Sequence, residues 1–102
     1  MPELVTVGKA SDFPPGTVKG VVAKGTKVLV ANIDGKFFSI NSVCTHLGGP
    51  LEKGPLNGDV ITCPWHGSKF DVKNGTVVSG PASKPEPSHK VVVDGENLLL
   101  EF

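Results

Sequence analysis

Lys27-Val28-Leu29-Val30-Ala31-Asn32-Ile33-Asp34-Gly35-Lys36-Phe37-Phe38-Ser39-Ile40-Asn41 is the stretch that decides the fold class. Two runs rich in β-branched and aromatic residues, Lys27–Asn32 and Lys36–Asn41, flank an Asp34-Gly35 pair, whose glycine supplies the positive φ that a two-residue hairpin turn requires. The same arrangement recurs at Lys24-Gly25, Asn74-Gly75 and Asp94-Gly95. Further strands are expected over Leu4–Val7, Thr17–Ala23, Val60–Thr62, Lys69–Val72, Thr76–Val78, His89–Val93 and Asn97–Phe102. The one helix-like stretch, near Ala10–Phe13, is ended by Pro14-Pro15. Nine short strands with dominant period two predict an all-β fold, an antiparallel β-sandwich or barrel.

The chain has 102 residues with 13 Gly and 9 Pro, which suits one small, turn-rich domain that a metal or other staple would help to hold folded. Ten acidic residues balance ten lysines, with no arginine. That even charge argues against nucleic acid as the main partner, which needs concentrated cationic charge. The start, Met1-Pro2-Glu3-Leu4, has neither the basic nor the apolar region of a secretory signal, and no apolar run is long enough for a membrane span. A cytoplasmic protein without a membrane anchor is the expectation. In that compartment paired cysteines favour metal over a disulfide.

The chemistry is concentrated between the strands. Cys44-Thr45-His46-Leu47-Gly48 and Cys63-Pro64-Trp65-His66-Gly67-Ser68 use both cysteines and two of the three histidines. Three readings compete: buried cysteines beside incidental histidines, a tetrahedral structural zinc, or a [2Fe–2S] cluster with thiolates on one iron and imidazoles on the other. Zinc sites usually group ligands of one type on one knuckle, whereas here the types alternate. Alternation lets each loop span two metals. In an extended stretch Cys44 and His46 point the same way with α-carbons roughly 7 Å apart.

The boxes closely resemble the Rieske iron–sulfur motif: Cys-x-His, sixteen residues, then Cys-x-x-His, within Cys44-Thr45-His46-Leu47-Gly48-Gly49-Pro50-Leu51 and Cys63-Pro64-Trp65-His66-Gly67-Ser68-Lys69-Phe70-Asp71. Asn74-Gly75 and Gly80-Pro81-Ala82 fall where that family has a turn and a proline loop, so the resemblance covers nearly the whole chain. It implies a single Rieske domain over 1–102 with a loop-rich cluster-binding subdomain inserted at about 43–82. It also implies one [2Fe–2S] cluster held by Cys44, His46, Cys63 and His66, surrounded by Leu47, Gly48, Trp65, Ser68, Phe70 and Pro81. Rieske proteins of respiratory cytochrome complexes carry a disulfide beside the cluster and a tyrosine. Here Gly49 and Trp65 stand at the cysteine positions and Phe70 at the tyrosine, so the pattern is similar to soluble Rieske-type ferredoxins.

The resemblance implies a one-electron carrier rather than a catalyst, passing electrons between a reductase and an oxygenase or other oxidoreductase by transient docking near His46 and His66. The alternatives are a small subunit of a larger oxidoreductase such as a nitrite reductase, and a non-redox zinc module. An oxygenase's own mononuclear iron site needs two further histidines and a carboxylate, and only His89 remains. With neutral imidazoles the oxidised cluster carries no net charge, whereas an all-cysteine cluster starts as a dianion, so histidine ligation raises the potential. Ser68 is expected to donate a hydrogen bond to a cluster sulfur, and Phe70 has no hydroxyl to supply a second. A potential in the lower half of the roughly −150 to +300 mV range follows. Lys53, Lys69 and Lys84 read as solvated lysines, and His89 as a packed or surface histidine.

Overall fold

The computed structural model describes residues 3–44, 48–65, 67–80 and 84–102. The fold is almost all β, in three antiparallel sheets. The first joins β1 (Leu4–Lys9), β11 (Asn97–Glu101) and β10 (Val91–Asp94) in the order β1-β11-β10. The second runs β2 (Val18–Ala23), β3 (Thr26–Ile33), β4 (Lys36–Asn41) and β9 (Ser88–His89). The third runs β5 (Leu56–Asn57), β6 (Val60–Thr62), β7 (Lys69–Asp71) and β8 (Val77–Ser79). Since β4 and β9 are hydrogen-bonded neighbours, the whole third sheet is inserted between two paired strands.

The opening hairpin forms as expected, with Ile33 opposite Lys36 and both Asp34 and Gly35 at positive φ. Lys24 and Gly25 make the same turn between β2 and β3. Strand β3 explains why its sequence is nearly all apolar. It is central in its sheet and buried on both faces, so alternate side chains enter different cores. Val28 and Val30 join Phe13, Ala23, Leu98 and Leu100 on one side. Leu29 and Ala31 join Ile40, Leu51, Ile61, Phe70, Val72 and both cysteines on the other. Each large buried apolar side chain contributes roughly 1.5–3 kcal/mol. One strand thereby ties the basal sandwich to the wall of the cysteine-containing core.

The polar groups buried along this wall are satisfied. Asn32 Nδ2 donates to Phe13 O at 2.6 Å, and its Oδ1 accepts from Gly35 N at 2.8 Å. Ser39 Oγ donates to Leu29 O at 2.7 Å.

Several expected boundaries change. The run His89–Val93 is two strands: Ser88–His89 pairs with β4, and Val91–Asp94 pairs with β11, the break falling at Lys90. Asn74-Gly75 is not a two-residue hairpin. The Asp71 N–H donates to Thr76 O at 2.9 Å, closing a wider loop in which Asn74 Oδ1 accepts from Thr76 N at 3.0 Å. At the last hairpin Asp94 still pairs with Asn97, which leaves Gly95 and Glu96 as the turn. The short β5 and a 3-10 turn at Leu51–Lys53 were not expected. The 3-10 turn Ala10–Asp12 was expected.

Candidate metal centre

The described residues of the two cysteine boxes share one hydrogen-bond pattern. The Cys44 N–H donates to Gly49 O at 2.9 Å, and Cys44 O accepts from Gly48 N at 2.8 Å. The Cys63 N–H donates to Ser68 O at 2.7 Å, and Cys63 O accepts from Gly67 N at 3.1 Å. Each cysteine therefore bonds the residues four and five places on, and the glycine at the fourth place has φ +79° in both loops. That left-handed geometry costs an ordinary L-residue about 1–2 kcal/mol, which explains Gly48 and Gly67. The histidine spacing differs between the boxes, but the turn does not.

Both loops are pinned at their bases. Val43 bridges Pro50 across the first loop, and Leu51 N donates to Ser42 O at 2.8 Å. The second loop sits between β6 and β7, where Thr62 pairs with Lys69. The Thr62 N–H also donates to Pro55 O at 3.1 Å, which ties the end of the first loop to the start of the second.

Cys44 and Cys63 are 3% and 2% exposed, belong to one core cluster and are not joined in a disulfide. The loops meet closely: a β-carbon on Gly49 would stand 2.7 Å from Cys63 Sγ and 3.2 Å from the Trp65 ring. The two positions that lack cysteines are thus neighbours in space, and Trp65 occupies the room beside glycine. Trp65 itself is 58% exposed, so its other face is open to solvent. Ser68 and Phe70 are fully buried, and Phe70 packs in the cluster that holds both thiols. Gly80 carries the chain from β8 against Ser68, where a β-carbon would come within 2.6 Å of Ser68 Cα. His46, Leu47, His66 and Pro81 lie outside the described residues.

Two buried thiols in equivalent loops, with a side-chain-free glycine beside one sulfur, fit a group bound between the loops. A model of the Rieske [2Fe-2S] domain family matches residues 3–94. The chain belongs to the Rieske [2Fe-2S] domain family. The biphenyl dioxygenase ferredoxin subunit of Pseudomonas sp. (strain KKS102) is 37% identical to this Rieske domain over 92 residues, 89% of this chain and 84% of that protein. The cytochrome b6-f complex iron-sulfur subunit of Chlorobaculum tepidum is 35% identical over 98 residues, but this chain spans only 53% of it. Among solved structures, a chain in the complex of reduced oxygenase and oxidized ferredoxin in carbazole 1,9a-dioxygenase superposes with a TM-score of 0.90 at 34% identity, over 95% of this chain and 91% of that one. The Rieske domain here is a one-electron carrier with one [2Fe–2S] cluster, an electron-transfer protein and not itself a catalyst.

Lys53 and Lys69 are exposed at the ends of the two loops, and Lys84 lies exposed beyond Pro81. Below the third sheet, Lys73 bonds the Asp59 carboxylate at 2.9 Å, which lowers the carboxyl pKa and raises that of the ammonium. His89 lies on β9, paired with Ser39 of β4. Its ring stacks on Phe102 with centroids 4.5 Å apart, Nε2 lies 2.7 Å from Asn41 Oδ1, and burial lowers its pKa against a hydrogen bond to the Glu101 backbone.

Sequence reasoning missed Ser42 and Glu52 altogether. The Ser42 hydroxyl donates to both Glu52 carboxylate oxygens, at 2.8 and 2.9 Å, across the base of the first loop. No spacing rule signals such a pair, because loop closure alone brings the two residues together.

Proposed function

We propose that Cys44, His46, Cys63 and His66 hold the cluster, and that the chain shuttles electrons from a reductase to the terminal oxygenase of a dioxygenase-type system in the cytoplasm. The observation that carries the ligand assignment is the equivalence of the two loops, each placing a buried cysteine at the head of one five-residue turn. In this reading the domain spans 1–102, with a cluster-binding unit at about 43–82. Bound there, the cluster supplies a site that takes up and releases one electron. The protein's own part is to bury both thiols and fix the two loops against each other, with Trp65 left exposed beside them.

The partner class is supported by the dioxygenase ferredoxin relative and by the similar chain in the carbazole 1,9a-dioxygenase complex of oxygenase with ferredoxin. The b6-f relative shares the family, but Gly49 and Trp65 stand where a respiratory-type disulfide would lie. Docking is proposed at the tips near His46 and His66, with exposed Trp65 and Val43 giving a small apolar rim. Small contacts suit a shuttle because they dissociate quickly. Ser68, Phe70, Leu47, Gly48 and Pro81 line the cluster in this account. Among the described residues, no helix is long and apolar enough to cross a membrane.

The three histidines allow a direct test. His46→Ala and His66→Ala should each abolish the red-brown colour of the purified protein, and His89→Ala should keep it. A coloured His46→Ala or His66→Ala protein with an unchanged spectrum contradicts the ligand set. A colourless wild type holding one zinc per chain contradicts the redox reading. Mixed anaerobically with a purified terminal oxygenase, the reduced protein should reoxidise as the oxygenase is reduced.

A further inference from the structure

The base of the first cysteine loop contains a polar link that ligation does not require. Ser42, two residues before Cys44, is 1% exposed. Its N–H donates to Lys27 O at 3.0 Å, and its carbonyl accepts from Leu51 N at 2.8 Å. The backbone of Ser42 thus joins the start of β3 to the turn that closes the loop. Its hydroxyl meets both oxygens of Glu52. The Glu52 side chain in turn lies against Gly20 of the edge strand β2. A β-carbon at Gly20 would fall 2.8 Å from Glu52 Cγ and 3.0 Å from Oε2, so the glycine makes the berth.

One carboxylate therefore spans β2, the end of β4 and the 3-10 turn at Leu51–Lys53. Two surface cavities, of about 290 and 150 Å³, share Lys27, Ser42 and Glu52 in their linings. Lys53 also lines the smaller one. The ion pairs recorded among the described residues, Lys24 with Glu3 and Lys73 with Asp59, involve neither Glu52 nor these two lysines.

We propose that Ser42 and Glu52 are a positioning pair for Cys44, and that the Glu52 carboxylate holds the cluster's reduction potential down. The inference rests on the Rieske reading and deepens it. The hydroxyl–carboxylate link joins the two strands of the loop base, two residues before Cys44 and three after Gly49, so it restrains the segment that presents the thiolate. A fixed negative charge disfavours adding an electron nearby, and it acts more strongly where burial reduces solvent screening. Lys27 and Lys53 offset part of that charge without removing it.

The test uses the cluster-loaded protein, with potential and rate of cluster loss to a chelator as separate readouts. Glu52→Gln keeps the reach to Ser42 and loses the charge, so the potential rises while the loss rate stays at the wild-type value. Glu52→Asp keeps the charge but falls one methylene short of Ser42, so cluster loss accelerates several-fold while the potential moves little. Ser42→Ala, which removes the donor and keeps the charge, should behave as Glu52→Asp does. A loaded Glu52→Gln protein at the wild-type potential overturns the electrostatic role. Unchanged loss rates in both Glu52→Asp and Ser42→Ala overturn the positioning role. Either failure leaves the electron-carrier reading standing, whereas a wild type that binds no cluster overturns both.

Discussion

Single residues set the character of this site as much as its ligands do. Gly49 and Trp65 are neighbours where the resemblance would put paired cysteines, so an aromatic ring rather than a covalent bridge lies beside Gly49, and Gly49 itself borders the Cys63 sulfur. Phe70 is fully buried in the core cluster that holds both thiols, and its ring ends without a donor. Phe70→Tyr adds one hydroxyl at that depth. If the hydroxyl donates to a cluster sulfur, a bond worth roughly 1 kcal/mol in favour of the reduced state raises the potential by about 40 mV. A hydroxyl that finds no partner leaves the potential unchanged and costs about 1–3 kcal/mol of stability instead. The first outcome is expected, read by redox titration and thermal unfolding of the same variant.

At the scale of elements, the sequence was most legible where the local pattern decides the structure alone. Lys36–Asn41 and Val60–Thr62 form as read, and Lys24-Gly25 and Asp34-Gly35 turn because glycine at positive φ leaves few alternatives. The run from Ser88 to Asp94 was not legible in that way. Nothing local marks a break at Lys90, but Ser88 and His89 pair with β4 while Val91–Asp94 pairs with β11, and partner choice is set by the tertiary fold. Leu56–Asn57 is too short between Pro55 and Gly58 to leave a periodic signal.

The β9 strand also carries a pH dependence. His89 is held between Asn41, Glu101 and Phe102, and burial lowers its folded pKa below the unfolded value of about 6.5. The unfolded chain therefore binds the proton more readily. The contribution of His89 is fully present above about pH 6.5 and is lost as pH falls through the folded pKa. The wild-type melting temperature should drop between pH 7 and 5, and the drop should be smaller in His89→Gln. Equal drops in both proteins would show that His89 does not couple folding to pH.

Across the whole molecule, the architecture places a rigid sandwich behind two equivalent loops. β3 is shared by both cores, so the cysteine loops rest on a wall that is itself fixed from behind. The cofactor and the family were readable from the ligand boxes because alternating Cys and His at these spacings occur in few other settings. The bracing by Ser42, Glu52 and Gly20 was not readable, since it depends on loop closure bringing distant positions together. The central claim is a histidine-ligated cluster without the disulfide and tyrosine of the high-potential branch. Redox titration of the loaded protein, followed by its reduced-state paramagnetic signal, tests that claim most directly. The expected midpoint lies between about −150 and +75 mV; a value above about +200 mV, or near the roughly −400 mV of an all-cysteine cluster, would rule out such a site.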